Sequence, residues 1–87
     1  MAYTVQVKRS ALRALQAIAQ PTRSQIQTAI DSLAEDPRPS GAKLLKGGKR
    51  LFRIRVRDYR IIYRVEDDRL LVLVVRIAHR GKAYQNL

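Results

Sequence analysis

Cysteine is absent from this sequence of 87 residues, and histidine occurs only once, at His79. The absence of cysteine excludes disulfide bonds and thiolate metal sites, and a single histidine excludes a multi-histidine site. Acidic residues are also few, with 7 Asp and Glu against 18 Lys and Arg, a net charge of +11. Because so basic a protein is a poor host for a bare cation, we expect no metal and no other cofactor.

Long hydrophobic stretches are missing as well. The longest apolar run extends from Leu70 to Val75, six residues, whereas a membrane-spanning helix needs about 20. The first ten residues, MAYTVQVKRS, contain no apolar stretch of a secretory signal. We therefore expect a single domain over residues 1–87 that has no membrane contact and works in the cytoplasm.

Positive charge is concentrated in the middle of the chain. Ten Lys and Arg residues lie between Arg38 and Arg64, against one acidic residue, Asp58. This excess is typical of a surface that meets a polyanion, whether nucleic acid, an acidic protein or an anionic membrane. A generally basic surface that only aids solubility is the simpler explanation. Ten basic residues against one acidic residue within 27 positions is too large an excess to favour it.

The N-terminal third predicts one strand followed by two helices. Tyr3, Val5 and Val7 alternate with polar residues, the period of a half-buried strand. Two helical segments follow and are separated by Pro21. Their apolar positions recur at helical spacing: Ala11, Leu12, Leu15, Ile18 and Ala19 in the first, then Ile26, Ala29, Ile30 and Leu33 in the second. Each apolar stripe is narrow, so this helical hairpin is predicted to pack on one face of a sheet.

Three strands follow a loop and a basic connector. The first and second alternate between apolar and arginine-bearing sides, and the third, Leu70 to Ile77, is apolar on both faces and suits a central position. Short turns at Arg57-Asp58 and Asp67-Asp68 make the three an antiparallel meander. The predicted fold is α+β in the order β-α-α-β-β-β, a mainly antiparallel four-stranded sheet with the hairpin on one face.

The other face of this sheet is predicted to carry a row of arginines. Arg53, Arg55 and Arg57 recur at every second position, and Arg60 follows across the turn. Because guanidinium is permanently charged and binds two phosphate oxygens at once, such a row suits a phosphate backbone. A charged edge that prevents strand-to-strand aggregation is the alternative. Arginines on two adjacent strands exceed what that protection requires.

The connector before these strands adds further cations, and the C-terminal stretch adds reactive side chains. Further phosphate-binding candidates are Lys43, Lys46, Lys49 and Arg50. The Gly47-Gly48 pair among them predicts a flexible turn, because the sequence lacks the Gly-x-x-x-x-Gly-Lys-[Ser/Thr] pattern of a phosphate-binding loop. After the third strand, His79 can shuttle protons, Arg80 can stabilise a phosphorane and Tyr84 can stack on a base. These three are catalytic candidates if they lie beside the arginines.

The run LFRIRVRDYRIIYRV at residues 51–65, followed by Ile77-Ala78-His79-Arg80 and Tyr84, resembles the RelE family of type II toxin–antitoxin modules. The resemblance extends over essentially the whole chain. It implies the RelE-like fold and a metal-independent endoribonuclease (mRNA interferase) that cleaves mRNA in the ribosomal A site and inhibits translation. The attacking group is the 2′-OH of the substrate, which leaves a 2′,3′-cyclic phosphate and a 5′-OH.

The resemblance also implies roles for single residues. Arg53 and Arg55 match two basic positions on the strand before the hairpin, and Arg60 matches a phosphate-binding arginine. Arg80 matches the arginine that stabilises the transition state, and Tyr84 the tyrosine that stacks on the base or aids attack. Where RelE has lysine, this chain has arginine, which does not readily act as a base. His79 or Tyr84 is therefore the candidate for that role.

Two other functions fit the same sequence. A ParE-like DNA gyrase inhibitor has the same fold without nuclease chemistry, and a non-catalytic RNA-binding module explains the charge equally well. The combination of Arg60, His79, Arg80 and Tyr84 favours the ribonuclease. For either toxin, the resemblance implies a cognate antitoxin, RelB-like, acidic or amphipathic, in a hetero-oligomeric complex, and for the ribonuclease a second partner, mRNA on the ribosome.

Overall fold

The computed structural model of the protein describes residues 2–47 and 50–80. Two helices and a five-stranded sheet make up these ranges. The elements in chain order are β1 (Thr4–Val7), α1 (Arg9–Gln16), α2 (Thr22–Ser32), β2 (Lys43–Leu44), β3 (Leu51–Val56), β4 (Tyr59–Glu66) and β5 (Leu71–His79), with one 3-10 turn at Asp67–Arg69. Helix α1 ends at Gln16, earlier than the predicted limit at Pro21, and Ile18 is nevertheless buried beyond it.

The sheet has the strand order β1-β5-β4-β3-β2. Strands β3, β4 and β5 form the predicted antiparallel meander, and β5 is an interior strand between β1 and β4, as its apolar sequence indicated. The first strand, β1, pairs with β5 in parallel. The helical hairpin crosses one face of the sheet and connects β1, at one edge, with β2, at the opposite edge. The predicted α+β class and element order are confirmed.

The predicted count of four strands is wrong by one. Lys43 and Leu44 form a fifth strand, β2, which pairs antiparallel with Arg53 and Phe52 at the edge of the sheet. No sequence pattern predicted this strand, since two residues are too few to show alternation and both side chains are exposed. Its effect is to place part of the basic connector against β3.

The hydrophobic core lies between the hairpin and one face of the sheet. The helices and the residues that directly follow them contribute Ala11, Leu15, Ile18, Ile26, Ile30 and Leu33, and the strands contribute Ile54, Ile61, Tyr63, Val72, Val74 and Ile77, all buried. These are the apolar positions that the helical and strand periods predicted for helices and for β3 and β4. No helix of the described residues is long and apolar enough to cross a membrane.

The loop after α2 is held to the sheet by polar and aromatic contacts. The buried Tyr63 hydroxyl donates a hydrogen bond of 2.7 Å to the Pro37 carbonyl oxygen, and its burial raises the pKa of Tyr63 to about 12. The Arg38 guanidinium lies 5.3 Å from the centre of the Phe52 ring and forms an ion pair with Asp67. Arg38 therefore serves the fold, although it belongs to the basic run of the sequence.

Candidate nucleic-acid interface

The sheet has a second face, here called the open face, that no helix of the described residues covers. Strand pairing arranges its side chains in three rows that run across the strands. The first row is Lys43, Arg53, Ile62 and Arg76, the second is Arg55, Arg60 and Ala78, and the third is Leu51, Arg64 and Leu73. A small apolar cluster around Leu51 and Ile62 forms its floor. Cations therefore surround an apolar centre, as the alternation in β3 and β4 predicted.

Arg53 is the most unusual residue of the open face. Its side chain is buried, with only 7% of the residue exposed, and the Nε atom finds no hydrogen-bond acceptor among the described residues. Burial of an N–H group that lacks an acceptor costs free energy, because its lost contacts with water are not replaced. An anion that binds at Arg53 would supply the missing acceptor.

Arg55 and Arg60 form the centre of the second row. The two residues lie directly opposite each other on β3 and β4, so their like charges repel. Arg55 is exposed, while Arg60 is half-buried and its Nε atom is covered. Two opposed arginines are stabilised when a phosphate group lies between them, which makes this row a candidate for holding the reacting phosphate.

The prediction that Arg57 joins these arginines is wrong. Strand β3 ends at Val56, and Arg57 occupies the turn with a left-handed φ of 52°. Its Nε donates a hydrogen bond to the Gln25 side chain on α2, so the guanidinium is directed to the helix side of the sheet. Simple alternation fails here because the turn changes the direction of the chain.

The expected position of His79 beside the arginines is also wrong. Val75 has no partner on β4, because Ile62 pairs with Arg76 whereas Tyr63 pairs with Val74. This β-bulge shifts the alternation of β5 by one residue and turns the following side chains over. His79 consequently lies opposite Tyr59, on the helix side, with the ring centres 5.5 Å apart.

The same bulge brings Arg76 to the open face, a position that sequence reasoning missed. Uninterrupted alternation from Val72 and Val74 would have directed Arg76 into the core. Instead the Ile77 side chain enters the core, and Arg76 lies beside Ile62 in the first row of the open face. The available signal was the charge itself, since an arginine in an apolar central strand requires a solvent-facing position or a partner.

Arg80 follows β5 directly and lies at the same end of the sheet as the second row. Its backbone N–H donates a hydrogen bond of 2.7 Å to the Asp58 carbonyl oxygen in the β3–β4 turn. Ala78, two residues earlier, is the β5 member of the second row. Arg80 is therefore close in the fold to Arg55 and Arg60, as the catalytic hypothesis requires.

The connector residues differ in the groups that surround them. Lys43 is exposed next to Arg53, and Lys46 is exposed in the bend that follows β2. Arg50 lines a cavity of about 400 Å³ together with Glu66, Asp67 and Asp68, and its charge helps to lower the pKa of Asp67. It therefore lies among carboxylates and apart from the second row. Lys49 and Tyr84, two further candidates, lie outside the described residues.

Carboxylates limit the basic surface at the third row. Arg64 is paired with Glu66 at 3.2 Å, and Glu66 also pairs with Arg69 at 3.1 Å. Within the described ranges there is no cluster of three or more His, Cys, Asp or Glu side chains that could hold a metal ion. Acidic as well as basic side chains therefore lie at the third row, whereas the charged members of the first and second rows are Lys and Arg.

Comparison with known proteins identifies several similar chains. Residues 5–84 match the family model described as ParE toxin of type II toxin-antitoxin system, parDE. Toxin RelG of Mycobacterium tuberculosis is 30% identical to this chain, and the alignment covers 98% of this chain and 99% of RelG.

Two solved structures share the fold over nearly the full length of both chains. A chain of the archaeal RelE-RelB complex from Pyrococcus horikoshii superposes with a TM-score of 0.83 at 27% identity, covering 95% of this chain and all of that chain. A chain of the intact E. coli RelBE toxin-antitoxin complex gives a TM-score of 0.79 at 26% identity, covering 92% and 99%.

Proposed function

Since the chain belongs to the RelE/ParE superfamily and is a toxin of a type II toxin–antitoxin system, we propose that it acts as a RelE-like mRNA interferase. In this proposal it works in the cytoplasm, binds mRNA in the ribosomal A site and cleaves it without a metal ion. Growth stops because translated messages are destroyed.

The observation that carries this proposal is the buried Arg53 residue among other cations. Its Nε finds no acceptor among the described residues. Arg55 lies two residues further along the same strand, and Lys43 and Arg60 lie on the neighbouring strands. A surface that only aids solubility would keep its charges in water, where they are fully solvated. A buried N–H group of an arginine that lacks an acceptor is stabilised by an anion, and several phosphates of one strand suit several adjacent cations.

The proposed chemistry transfers a phosphoryl group within the RNA. The substrate 2′-oxygen loses its proton and attacks the adjacent phosphorus, the bond to the 5′-oxygen breaks, and that oxygen gains a proton. Negative charge increases on the phosphorane oxygens, and Arg60 and Arg80 are the residues we assign to stabilise it. Arg53, Arg55, Lys43 and Lys46 hold the flanking phosphates, and Tyr84 stacks on a base. His79, on the opposite side of the sheet, is left out of this set.

A cognate antitoxin of RelB type is the proposed partner that keeps the toxin inactive. The similar toxins from P. horikoshii and E. coli are found in complexes with RelB-type antitoxins. A net charge of +11 favours an acidic or amphipathic segment of such a partner. In the resulting hetero-oligomer, this segment would cover or distort the open face.

A gyrase-directed toxin is the second candidate, because the matching family model carries the ParE description. Gyrase inhibition needs a protein-binding surface, whereas phosphoryl transfer needs convergent cations. The opposed Arg55 and Arg60, with Arg80 at the same end of the sheet, favour phosphoryl transfer. A non-catalytic RNA-binding module would share the same cations but would not cut RNA.

Primer extension on mRNA after induction of the toxin distinguishes the three functions. If the toxin is a ribonuclease, new 5′ ends within translated codons appear after induction before growth stops. Gyrase inhibition produces DNA breaks with intact mRNA, and an RNA-binding module produces neither. The ribonuclease proposal fails if translated messages remain intact while growth stops.

A further inference from the structure

The cations of the first row form a line that runs across the strands. Lys43 on β2 lies beside Arg53 on β3, and Arg76 on β5 follows beyond Ile62. Adjacent strands are about 4.8 Å apart, so Arg53 and Arg76 begin about 10 Å from each other. The buried Ile62 between them has no exposed surface, and the Nε atoms of Arg53 and Arg76 are covered as well.

The line continues beyond β5 to the end of β1. The Lys8 backbone N–H donates a hydrogen bond of 2.8 Å to the Val74 carbonyl oxygen, which places Lys8 next to the bulge. Lys8 and Arg76 line one open cavity of about 410 Å³ together with Ser10. Lys8 is exposed, and Arg76 is half-buried. A fourth cation therefore extends the first row to the opposite edge of the sheet.

We propose that Arg76 and Lys8 bind phosphates of single-stranded RNA, so that the strand crosses the sheet from Lys43 through Arg53 to Arg76 and Lys8. This inference rests on the proposed function and adds the direction of the RNA and two further contacts. The second row, with Arg55 and Arg60, then lies beside the path and reaches the phosphate that reacts.

The charges at the two ends of the strands favour this path over a course along the strands. At one end Arg57 is directed to α2 through its hydrogen bond with Gln25. At the other end Arg64 is already paired with Glu66, whose carboxylate would repel a phosphate. A path along β3 would therefore meet Arg53 and Arg55, with Arg60 opposite Arg55, whereas the path across the strands meets four cations in one row.

Binding of a 2′-O-methyl oligoribonucleotide, which lacks the attacking hydroxyl, tests this path. Fluorescence anisotropy over a range of salt concentrations gives the affinity and its salt dependence. Each phosphate contact with a single strand contributes about 0.7 to the slope of log K against log salt. For Arg76→Gln and for Lys8→Gln, we expect a slope smaller by about 0.7 and an affinity about fivefold lower at 0.1 M salt.

Arg13→Gln is the matched control, because it removes one exposed positive charge from α1, outside the path. It should change the affinity less than twofold and leave the slope as it is. Arg76→Lys keeps the positive charge but changes the side chain beside Ile62. It should retain the salt-dependence slope of the original protein, which would show that the charge of Arg76, and not its packing, is what binds the phosphate. Circular dichroism establishes that each variant is folded.

The outcomes separate this inference from the proposed function. If Arg76→Gln and Lys8→Gln bind like Arg13→Gln, or if the unmodified protein does not bind the oligonucleotide, the path is wrong whatever the result of primer extension. If both variants lose slope as expected while mRNA stays intact in cells, the path is right and the ribonuclease function is wrong.

Discussion

The Arg38 guanidinium holds the Asp67 carboxylate through two hydrogen bonds of 3.1 and 2.7 Å, and the Tyr3 hydroxyl donates a third of 2.6 Å. This group connects three distant parts of the chain: β1, the loop after α2 and the turn before β5. Hydrogen bonds from Arg38 and then Tyr3 lower the pKa of Asp67 to about 2, and the bond to Asp67 raises the pKa of Tyr3.

Asp67→Asn should remove a pH-dependent part of the stability. The pKa of Asp67 is lower in the folded protein than its ordinary value of 3.8, which the unfolded chain retains. The contribution of Asp67 to stability is therefore fully present above about pH 4 and is lost as pH falls toward 2. The melting temperature of the variant should be lower than that of the original protein at pH 7, and the two should converge near pH 2. A difference that stays constant from pH 7 to pH 2 would contradict the proposed role of this carboxylate.

Arg57→Gly should be more stable than Arg57→Ala by about 1 kcal/mol. Both variants lose the hydrogen bond to Gln25, but only glycine adopts the left-handed φ of 52° without a steric cost. Urea denaturation of the two variants measures the difference. Since Arg57 is directed away from the open face, both should bind RNA nearly as well as the original protein. Equal stability would show that this turn relaxes when the side chain changes.

Arg60→Ala and Arg80→Ala should each reduce toxicity and mRNA cleavage strongly. Loss of a hydrogen-bond donor to the developing negative charge of the phosphorane raises the activation free energy by on the order of 3 kcal/mol, which lowers the cleavage rate about a hundredfold. Arg64→Ala is the control, because it removes an arginine from the same strand as Arg60 that is already paired with Glu66. If the first two variants are folded by circular dichroism and remain fully toxic, the catalytic assignment is misplaced.

Cleavage should not require a metal ion bound to the toxin. The 2′-OH of the RNA is the proposed nucleophile, and guanidinium groups supply the positive charge that a metal would otherwise supply. Toxin treated with EDTA and then desalted should cut mRNA on programmed ribosomes at the rate of untreated toxin. A rate that falls and is restored by a divalent cation added back to the toxin would overturn the metal-independent mechanism.

The antitoxin complex should respond to salt mainly through its association rate. Charge attraction speeds the encounter of a protein of +11 with an acidic partner, whereas apolar contacts, expected along the helical hairpin, slow dissociation. Stopped-flow mixing at 50 and 500 mM salt should show association slower by tenfold or more and a much smaller change in dissociation. An equilibrium affinity that collapses with salt would show that charge alone holds the complex.

Much of this protein follows from short-range patterns. The helical spacing of Ile26, Ile30 and Leu33 and the alternation of β3 and β4 are local properties of the chain, so the element order, the core and the positions of Arg53, Arg55 and Arg60 could be predicted. The net charge and the absence of cysteine likewise depend on composition alone.

Tertiary structure decided which side chains of β5 reach the open face. The bulge at Val75 arises from the pairing of β5 with β4, which no pattern within β5 encodes. By shifting the alternation by one residue, it brings Arg76 to the open face and directs His79 to the helix side. Pairing with β3 in the same way made a strand of Lys43–Leu44, two residues without a pattern of their own. Local sequence determines what a strand can bury, but its partner determines the register and therefore the face on which each side chain lies.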